Sequence, residues 1–219
     1  MDISAIIQMV AIGALPIVLA ITLHEAAHGY AAKHFGDPTA WMEGRITANP
    51  LKHIDPIGTL AVPLAILALS SGGILFGWAK PVPVNFGNLR RPKRDMLWVA
   101  AAGPGANFVM ALIWAAVLKT AWEMPLNYFS LPMARMAEIG IGINVSLMVL
   151  NLFPLPPLDG GRIAVSLLPH RLAWKYAQLE RWGFPILLVL LFTGILGKVL
   201  MPFMAIVTVL IEMIFQLPA

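Results

Sequence analysis

The sequence predicts an all-α bundle embedded in a membrane, with about five to six transmembrane or re-entrant helices and a small membrane-associated β element. Three observations carry that prediction. The 219 residues are 59% hydrophobic and 12% charged, with a mean hydropathy of +0.79, whereas a soluble domain is roughly 45–50% apolar and about 25% charged. So little charge cannot cover a water-facing surface, which excludes a soluble globular enzyme. A disordered chain, which is polar and charge-rich, is excluded with it. The apolar residues gather into runs, several near the roughly 20 residues that a helix needs to cross the hydrocarbon core. The charges fall between those runs. A net charge of +4 and a pI near 9.6 therefore report sidedness and lipid-headgroup contact, not a basic face for nucleic acid. Cysteine is absent, so disulfides, thiolate metal ligands and a cysteine nucleophile are excluded.

The first run, Ile3 to Ala32, is long enough to span and contains Pro16 and the polar cluster His24–His28. It follows Met1 and Asp2 with no basic n-region, so it reads as a retained span and not a signal peptide. The second run, Ile57 to Phe76, is broken by Pro63, Gly72 and Gly73. Lys33, Arg45 and Lys52 precede it, and Lys80, Arg90, Arg91, Lys93 and Arg94 follow it. Both flanks favour the cytoplasmic side, which points to a re-entrant hairpin.

The third run, Met96 to Val117, holds Gly103, Pro104, Gly105 and Asn107, and the fourth extends from Met136 to Phe153. Arg162, Arg171, Lys175 and Arg181 follow the fourth. These two basic clusters, separated by two crossings, agree on one side of the membrane. Leu172–Trp182 is amphipathic and belongs at the interface, with Trp174, Tyr176 and Trp182 at headgroup level. The last run, Phe184 to Phe215, has Gly194, Gly197, Lys198 and Pro202 near its middle. It fits two short spans with a tight turn, or one span and a re-entrant piece. No internal repeat or appended soluble domain is visible, so residues 1–219 read as one polytopic domain.

Ionisable residues inside an apolar run cost several kcal/mol unless they have partners and a task. The first run holds three of them in Leu23-His24-Glu25-Ala26-Ala27-His28. Histidines at i and i+4 share one helical face, where both imidazoles reach one metal ion. Glu25 is placed to act on water beside the metal, and H-E-x-x-H is a zinc-hydrolase signature. The alternative is a solvated polar face. A catalytic zinc site takes three protein ligands and an open position. The candidates for the third are Asp55, Asp95, Glu138, Asp159, Glu212, His34, His53 and His170. Asp159 stands out in Asn151-Leu-Phe-Pro-Leu-Pro-Pro-Leu-Asp159-Gly-Gly161, where prolines unwind the end of the fourth run and two glycines permit a sharp turn. A helix N-cap is its competing role.

In this combination the chain resembles the site-2 protease family of intramembrane zinc metalloproteases, in its short branch without PDZ or CBS domains. The likeness rests on His24-Glu25-Ala-Ala-His28 and Asn151…Leu158-Asp159-Gly160. It extends through Asn49-Pro-Leu-Lys-His53-Ile-Asp55-Pro-Ile-Gly58-Thr59, Gly77-Trp-Ala-Lys-Pro-Val-Pro-Val-Asn85 and Ala102-Gly-Pro-Gly-Ala-Asn107. The resemblance implies that His24, His28 and Asp159 bind one Zn2+ per chain, that Glu25 is the general base, and that Asn151 holds the substrate's extended backbone. It also implies single-span membrane protein substrates, a multi-pass place in the inner, cytoplasmic membrane, and β strands beside an active site that faces the cytoplasm.

Other residues read less sharply. In Lys80-Pro81-Val82-Pro83-Val84-Asn85 the prolines strip donors from one edge, leaving Val82 and Val84 on an edge that can pair with an unwound substrate. The competing reading is a polyproline connector. Asn49-Pro50 and Asp55-Pro56 place His53 in an exposed loop. There it is an outer partner of a ligand, a transition-state donor or a plain loop histidine. Asp55 suits a cap for a helix starting near Pro56. Asn107 shares a face with Gly103, and Gly140, Asn144 and Asn151 share another, so the third and fourth spans should press these faces inward. Asn107 is then a structural hydrogen-bonder or an outer partner of the site. Three rivals remain at this stage: a zinc-bound membrane adaptor without proteolysis, a metal transporter, and an H-E-x-x-H protease using Glu138 or Glu212 as third ligand. The intact Glu25 and the absence of repeated spans count against the first two.

Overall fold

The computed structural model of the chain describes residues 3–62, 65–66, 77 and 79–217. The first helix, α1 (Ile3–Phe35), keeps a buried Pro16 within it. It stops at Gly36, whose φ of +115° belongs to a region that L side chains rarely adopt. The N–H groups of Gly36 and Asp37 close onto the carbonyls of Lys33 and Ala32 at 3.2 and 2.8 Å, which satisfies the last turn. A short helix, α2 (Thr39–Met42), follows.

The next long helix, α3 (Pro92–Glu123), starts on a proline. Asp95 reaches back to accept the Arg91 N–H at 2.7 Å, meeting one of the orphan donors of the first turn. Asn127 accepts the N–H groups of Phe129 and Ser130 as the chain enters α4 (Ser130–Asn151). Then come α5 (Asp159–Leu167), α6 (His170–Ala177), α7 (Glu180–Phe192) and α8 (Ile195–Phe215).

Four helical segments are long and apolar enough to cross a membrane: Ala11–Phe35, Pro92–Glu123, Ser130–Asn151 and Ile195–Phe215. The first, third and fourth runs of the sequence fall on three of them. The last run divides at Gly194, with φ +71°, into α7 and α8, and of these only α8 reaches spanning length. The second run lies mostly outside the described residues, so the re-entrant hairpin expected there is not among them. Its start, Pro56–Ala61, is one wide π-helical turn. As expected, Asp55 caps it, accepting the N–H groups of Ile57 and Gly58 at 2.8 and 3.0 Å.

The expected β element is a correction, because the described residues contain no strand. Residues 79–85 build no ladder: one donor, the Lys80 N–H, goes to the His53 carbonyl, and two others go to side chains. Val82 N–H is taken by Glu25 and Asn85 N–H by Asp37, each at 2.7 Å, while Pro81 and Pro83 have no N–H to give.

The core is α1, α3 and α4, packed through Ala111, Ala115, Ala137, Val145 and their neighbours. Small residues let these helices touch, as membrane bundles require. A methyl group on Gly140 of α4 would overlap the Trp114 indole of α3. α8 leans on this core through Leu196, Leu200 and Ile211. At one end, the Lys93 ammonium donates to the Leu168 carbonyl, and the Arg162 guanidinium lies 5.0 Å from the centre of the Phe86 ring. The two basic clusters therefore meet at the same end of the bundle.

Candidate metal centre

Three elements build the site. α1 presents His24 and His28 one turn apart, α3 backs them, and the first residue of α5 presents Asp159. Gly103 makes the backing possible, since a Cβ there would sit inside contact distance of both imidazoles. Gly160 and Gly161 let α5 rest on the backbone of residues 152–156, where any methyl group would overlap main-chain atoms. That close approach brings Asp159 under the histidines. Gly183 of α7 meets the Pro156 carbonyl in the same way.

Both imidazoles are oriented through Nδ1. His24 Nδ1 lies 2.6 Å from Asn107 Oδ1, and His28 Nδ1 lies 2.7 Å from the Val99 carbonyl. Asn107 faces its oxygen toward His24 because its Nδ2 donates to the Ala20 carbonyl and to Asn144 Oδ1, at 3.1 and 2.9 Å. Asn144 in turn donates to the Gly140 carbonyl at 2.8 Å. Asn107 and Asn144 are fully buried, so this amide chain runs through the middle of the bundle. Both acceptors take the proton of Nδ1, so in the neutral imidazole Nε2 is the nitrogen that carries the lone pair.

The two Nε2 atoms meet at 3.1 Å, and each lies 3.3 Å from Asp159 Oδ2. The Asp159 oxygen is buried and has no hydrogen-bond partner. Three such atoms this close together call for positive charge among them, which a metal ion or a protonated imidazole supplies. A tetrahedral zinc site with metal–ligand distances of about 2.0–2.1 Å has ligand–ligand edges of about 3.3–3.4 Å. The donor set and its spacing fit such an ion. Among the described residues, this is the His and carboxylate group able to hold a metal. Glu138 and Glu212 are not part of it. Nor does Asp159 cap its helix: Leu158 holds the N-cap position and Asp159 is the first helical residue.

Glu25 is half-buried beside this triangle, its Oε2 accepting the Val82 N–H at 2.7 Å. Asn107 joins the site through His24, and Val82 joins it through Glu25. Val84 is half-buried in the same segment. Asn151 is at the end of α4, with Nδ2 donating to the Leu147 carbonyl of its own helix at 2.9 Å. His53 differs from its reading as an exposed loop residue. It is 2% exposed, with Nε2 donating to the Thr47 carbonyl at 3.1 Å, and that bond does not reach the ligands. The two turns around it fold inward because its own carbonyl accepts the Lys80 N–H at 2.9 Å. Tyr176 donates its hydroxyl to the Pro154 carbonyl, in the loop that leads to Asp159.

Sequence reasoning missed Val99, whose carbonyl carries no residue-type signal. It also missed Asp37, which is fully buried and gathers Asn85 N–H, Asn88 Nδ2 and the Thr39 N–H and hydroxyl. Burial alone would raise the Asp37 carboxyl. These hydrogen bonds outweigh it and hold the group below the usual carboxylate range.

A Bacillus subtilis protein named "Putative zinc metalloprotease YwhC" is 41% identical over 191 residues, covering 86% of this chain and 83% of its own. The sequence profile of Peptidase family M50 matches residues 127–194. The chain belongs to peptidase family M50. Proteins named "Putative zinc metalloprotease Rip2" stand further off within the same likeness. That of Mycolicibacterium smegmatis is 34% identical, covering 83% of this chain and 66% of its own, and that of Mycobacterium tuberculosis is 30% identical, covering 70% and 54%. No solved structure is a significant match. The M50 profile covers α4, the Pro-rich loop and Asp159, the half of the site that faces the α1 histidines.

Proposed function

We propose that this M50 chain is a zinc-dependent intramembrane endopeptidase that cuts the transmembrane segments of single-span membrane proteins. The observation that carries the reading is the meeting of three potential ligand atoms, two imidazole nitrogens and a carboxylate oxygen, at 3.1–3.3 Å, beside a carboxylate that is not one of them. His24, His28 and Asp159 would hold one Zn2+ per chain. When bound, zinc supplies Lewis acidity that activates water and polarises the scissile carbonyl. Glu25 takes the proton of the attacking water and returns it to the leaving amine. Asn107 and the Val99 carbonyl keep the imidazoles turned inward throughout.

A helical substrate must unwind before its peptide bond is accessible, and its freed backbone groups need partners at membrane depth. Asn151 and the Val82–Val84 segment serve that role in this reading. Asn151 keeps its amide oxygen for a substrate N–H while Nδ2 is engaged at Leu147. The basic residues gathered at one end of the bundle support a multi-pass place in the cytoplasmic membrane, with the site toward the cytoplasmic face and the bilayer as a partner. Five or six spanning or re-entrant helices remain the proposed full count.

The test is reconstitution with a panel of single-span peptides, comparing wild type with Glu25→Gln at measured zinc content. Cleavage by the wild type alone, with zinc in both, supports the reading. Equal cleavage by both, or a zinc-free wild type, overturns it. Asp159→Ala should lose zinc while Glu138→Ala and Glu212→Ala keep it, and the reverse pattern would move the third ligand.

A further inference from the structure

The segment that touches Glu25 is itself held at three points. At its start, Arg45 Nη2 donates to the carbonyls of Lys80 and Pro81, at 2.9 and 3.3 Å, and the Lys80 N–H donates to the His53 carbonyl. In the middle, the Val82 N–H meets Glu25 at 2.7 Å. At its end, Asn85 N–H is taken by Asp37. Between Lys80 and Val84 the only N–H is that of Val82, because residues 81 and 83 are prolines. Between its ends the segment therefore has one donor of its own, the Val82 N–H, and the Arg45 grip on two consecutive carbonyls fixes how that donor approaches α1.

Arg45 is 6% exposed and, among the described residues, forms no ion pair. A buried guanidinium without a counter-ion is costly. Both bonds come from one nitrogen, Nη2, whose N–H groups are held in the plane of the guanidinium. Gly29 of α1 allows the approach, since a Cβ there would press on Val82 and Ile46.

We propose that Arg45 is a positioning residue for peptide hydrolysis: by clamping the Lys80 and Pro81 carbonyls it fixes the Val82 N–H that aims the Glu25 carboxylate. This rests on the reading of Glu25 as general base. Arg45 has no bond to the three ligand atoms, so its loss leaves metal content in place and falls first on turnover, with substrate affinity following only as far as the Val82–Val84 edge shifts.

The test uses the full-length chain, reconstituted with a cleavable single-span peptide, and the variants Arg45→Met, Arg45→Lys and Val82→Pro. Arg45→Met should bind zinc as wild type does, with kcat lower by about 10–100-fold and KM changed by less than kcat. Arg45→Lys should recover part of that loss, because an ammonium still reaches one carbonyl. Val82→Pro deletes the single donor in a segment that is already extended and proline-flanked, and should reproduce the Arg45→Met loss. In zinc-free protein, hydrogen exchange at the Val82 amide should quicken in Arg45→Met while that of α1 is unchanged. Wild-type kcat in either Arg45→Met or Val82→Pro overturns the proposal, as does a loss confined to KM or unchanged Val82 exchange. If Arg45→Met does not fold, Val82→Pro decides. Cleavage by Glu25→Gln would sink the general-base reading itself. An inactive Glu25→Gln beside a fully active Arg45→Met would sink the positioning role alone.

Discussion

α4 and α8 are nearly equal in length, 22 and 21 residues, and both are apolar enough to span, yet they lie in different surroundings. α8 has the higher mean hydropathy, 2.1 against 1.4, but 11% of its most apolar window is buried against 44% for α4. The more apolar helix is the less buried one. In water that would be a contradiction, but in a bilayer lipid is as good a solvent for leucine as another helix is. What marks the interior is smallness and polarity: Gly140, Ala137 and Asn144 on α4, Gly103 and Asn107 on α3. Burying these groups satisfies hydrogen bonds that lipid cannot.

The largest test of that contrast is Gly103→Ala. A methyl group there would enter the space of His24 and His28, which cannot withdraw without leaving the ligand triangle. Zinc content should fall to near zero, with cleavage down by at least about 100-fold. Gly105→Ala is the control, two residues on in the same helix, where a Cβ meets nothing within 4 Å. It should keep both zinc and activity, as read by metal analysis and peptide cleavage. Stoichiometric zinc in Gly103→Ala would show that the interior is looser than these contacts require.

Next in size is Asn107→Leu, which keeps the volume but removes the acceptor of His24 Nδ1 and strands Asn144 Oδ1. Loss of such an outer partner typically weakens metal binding by about 10–100-fold, measurable by competition with a chelator. No change would mean that packing alone orients His24.

The interior was legible where chemistry and periodicity coincide. His24, Glu25 and His28 announced themselves by helical spacing inside an apolar run, Asp159 by the prolines and glycines around it, and Asn107 and Asn144 by sharing faces with glycines. The basic clusters reported one end of the bundle correctly. Legibility failed where backbone atoms and tertiary competition decide. The Val99 carbonyl has no residue signature. The Lys80–Asn85 segment reads as an edge strand until the carboxylates of Glu25 and Asp37 are known to take its donors. Arg45 looked like a sidedness charge, because sequence does not distinguish a cation in headgroups from one buried against carbonyls.

At the loop end of the interior, Asp37→Asn should cost about 1–3 kcal/mol by weakening charge-assisted bonds to Asn85, Asn88 and Thr39. The carboxyl is held below its ordinary value of 3.8 in the fold. Its contribution is therefore complete above that value and is lost as pH falls through the lower, folded one. From about pH 5 downward through the folded value, stability in detergent should fall more steeply for wild type than for Asp37→Asn, with the two curves parallel above about pH 5. Curves that stay parallel below that pH as well would mean that Asp37 does not hold the segment through its charge.

The smallest effect belongs to the lipid-facing side. Gly194 joins α7 to α8 at φ +71°, and a Cβ there would meet nothing within 4 Å. Alanine at this position therefore carries only the backbone cost of a left-handed residue, about 1–2 kcal/mol. Thermal unfolding should register that loss, while zinc content and kcat remain at wild-type values. The reason is the contrast between α4 and α8: α8 supplies no ligand, no partner to a ligand and no glycine seat for an imidazole, so strain at its start has no short route to the triangle. If Gly194→Ala instead lost zinc in proportion to stability, the α7–α8 hairpin would be part of the site's support. The Gly183 contact with Pro156, next to the loop that seats Asp159, would be the path by which that strain arrived.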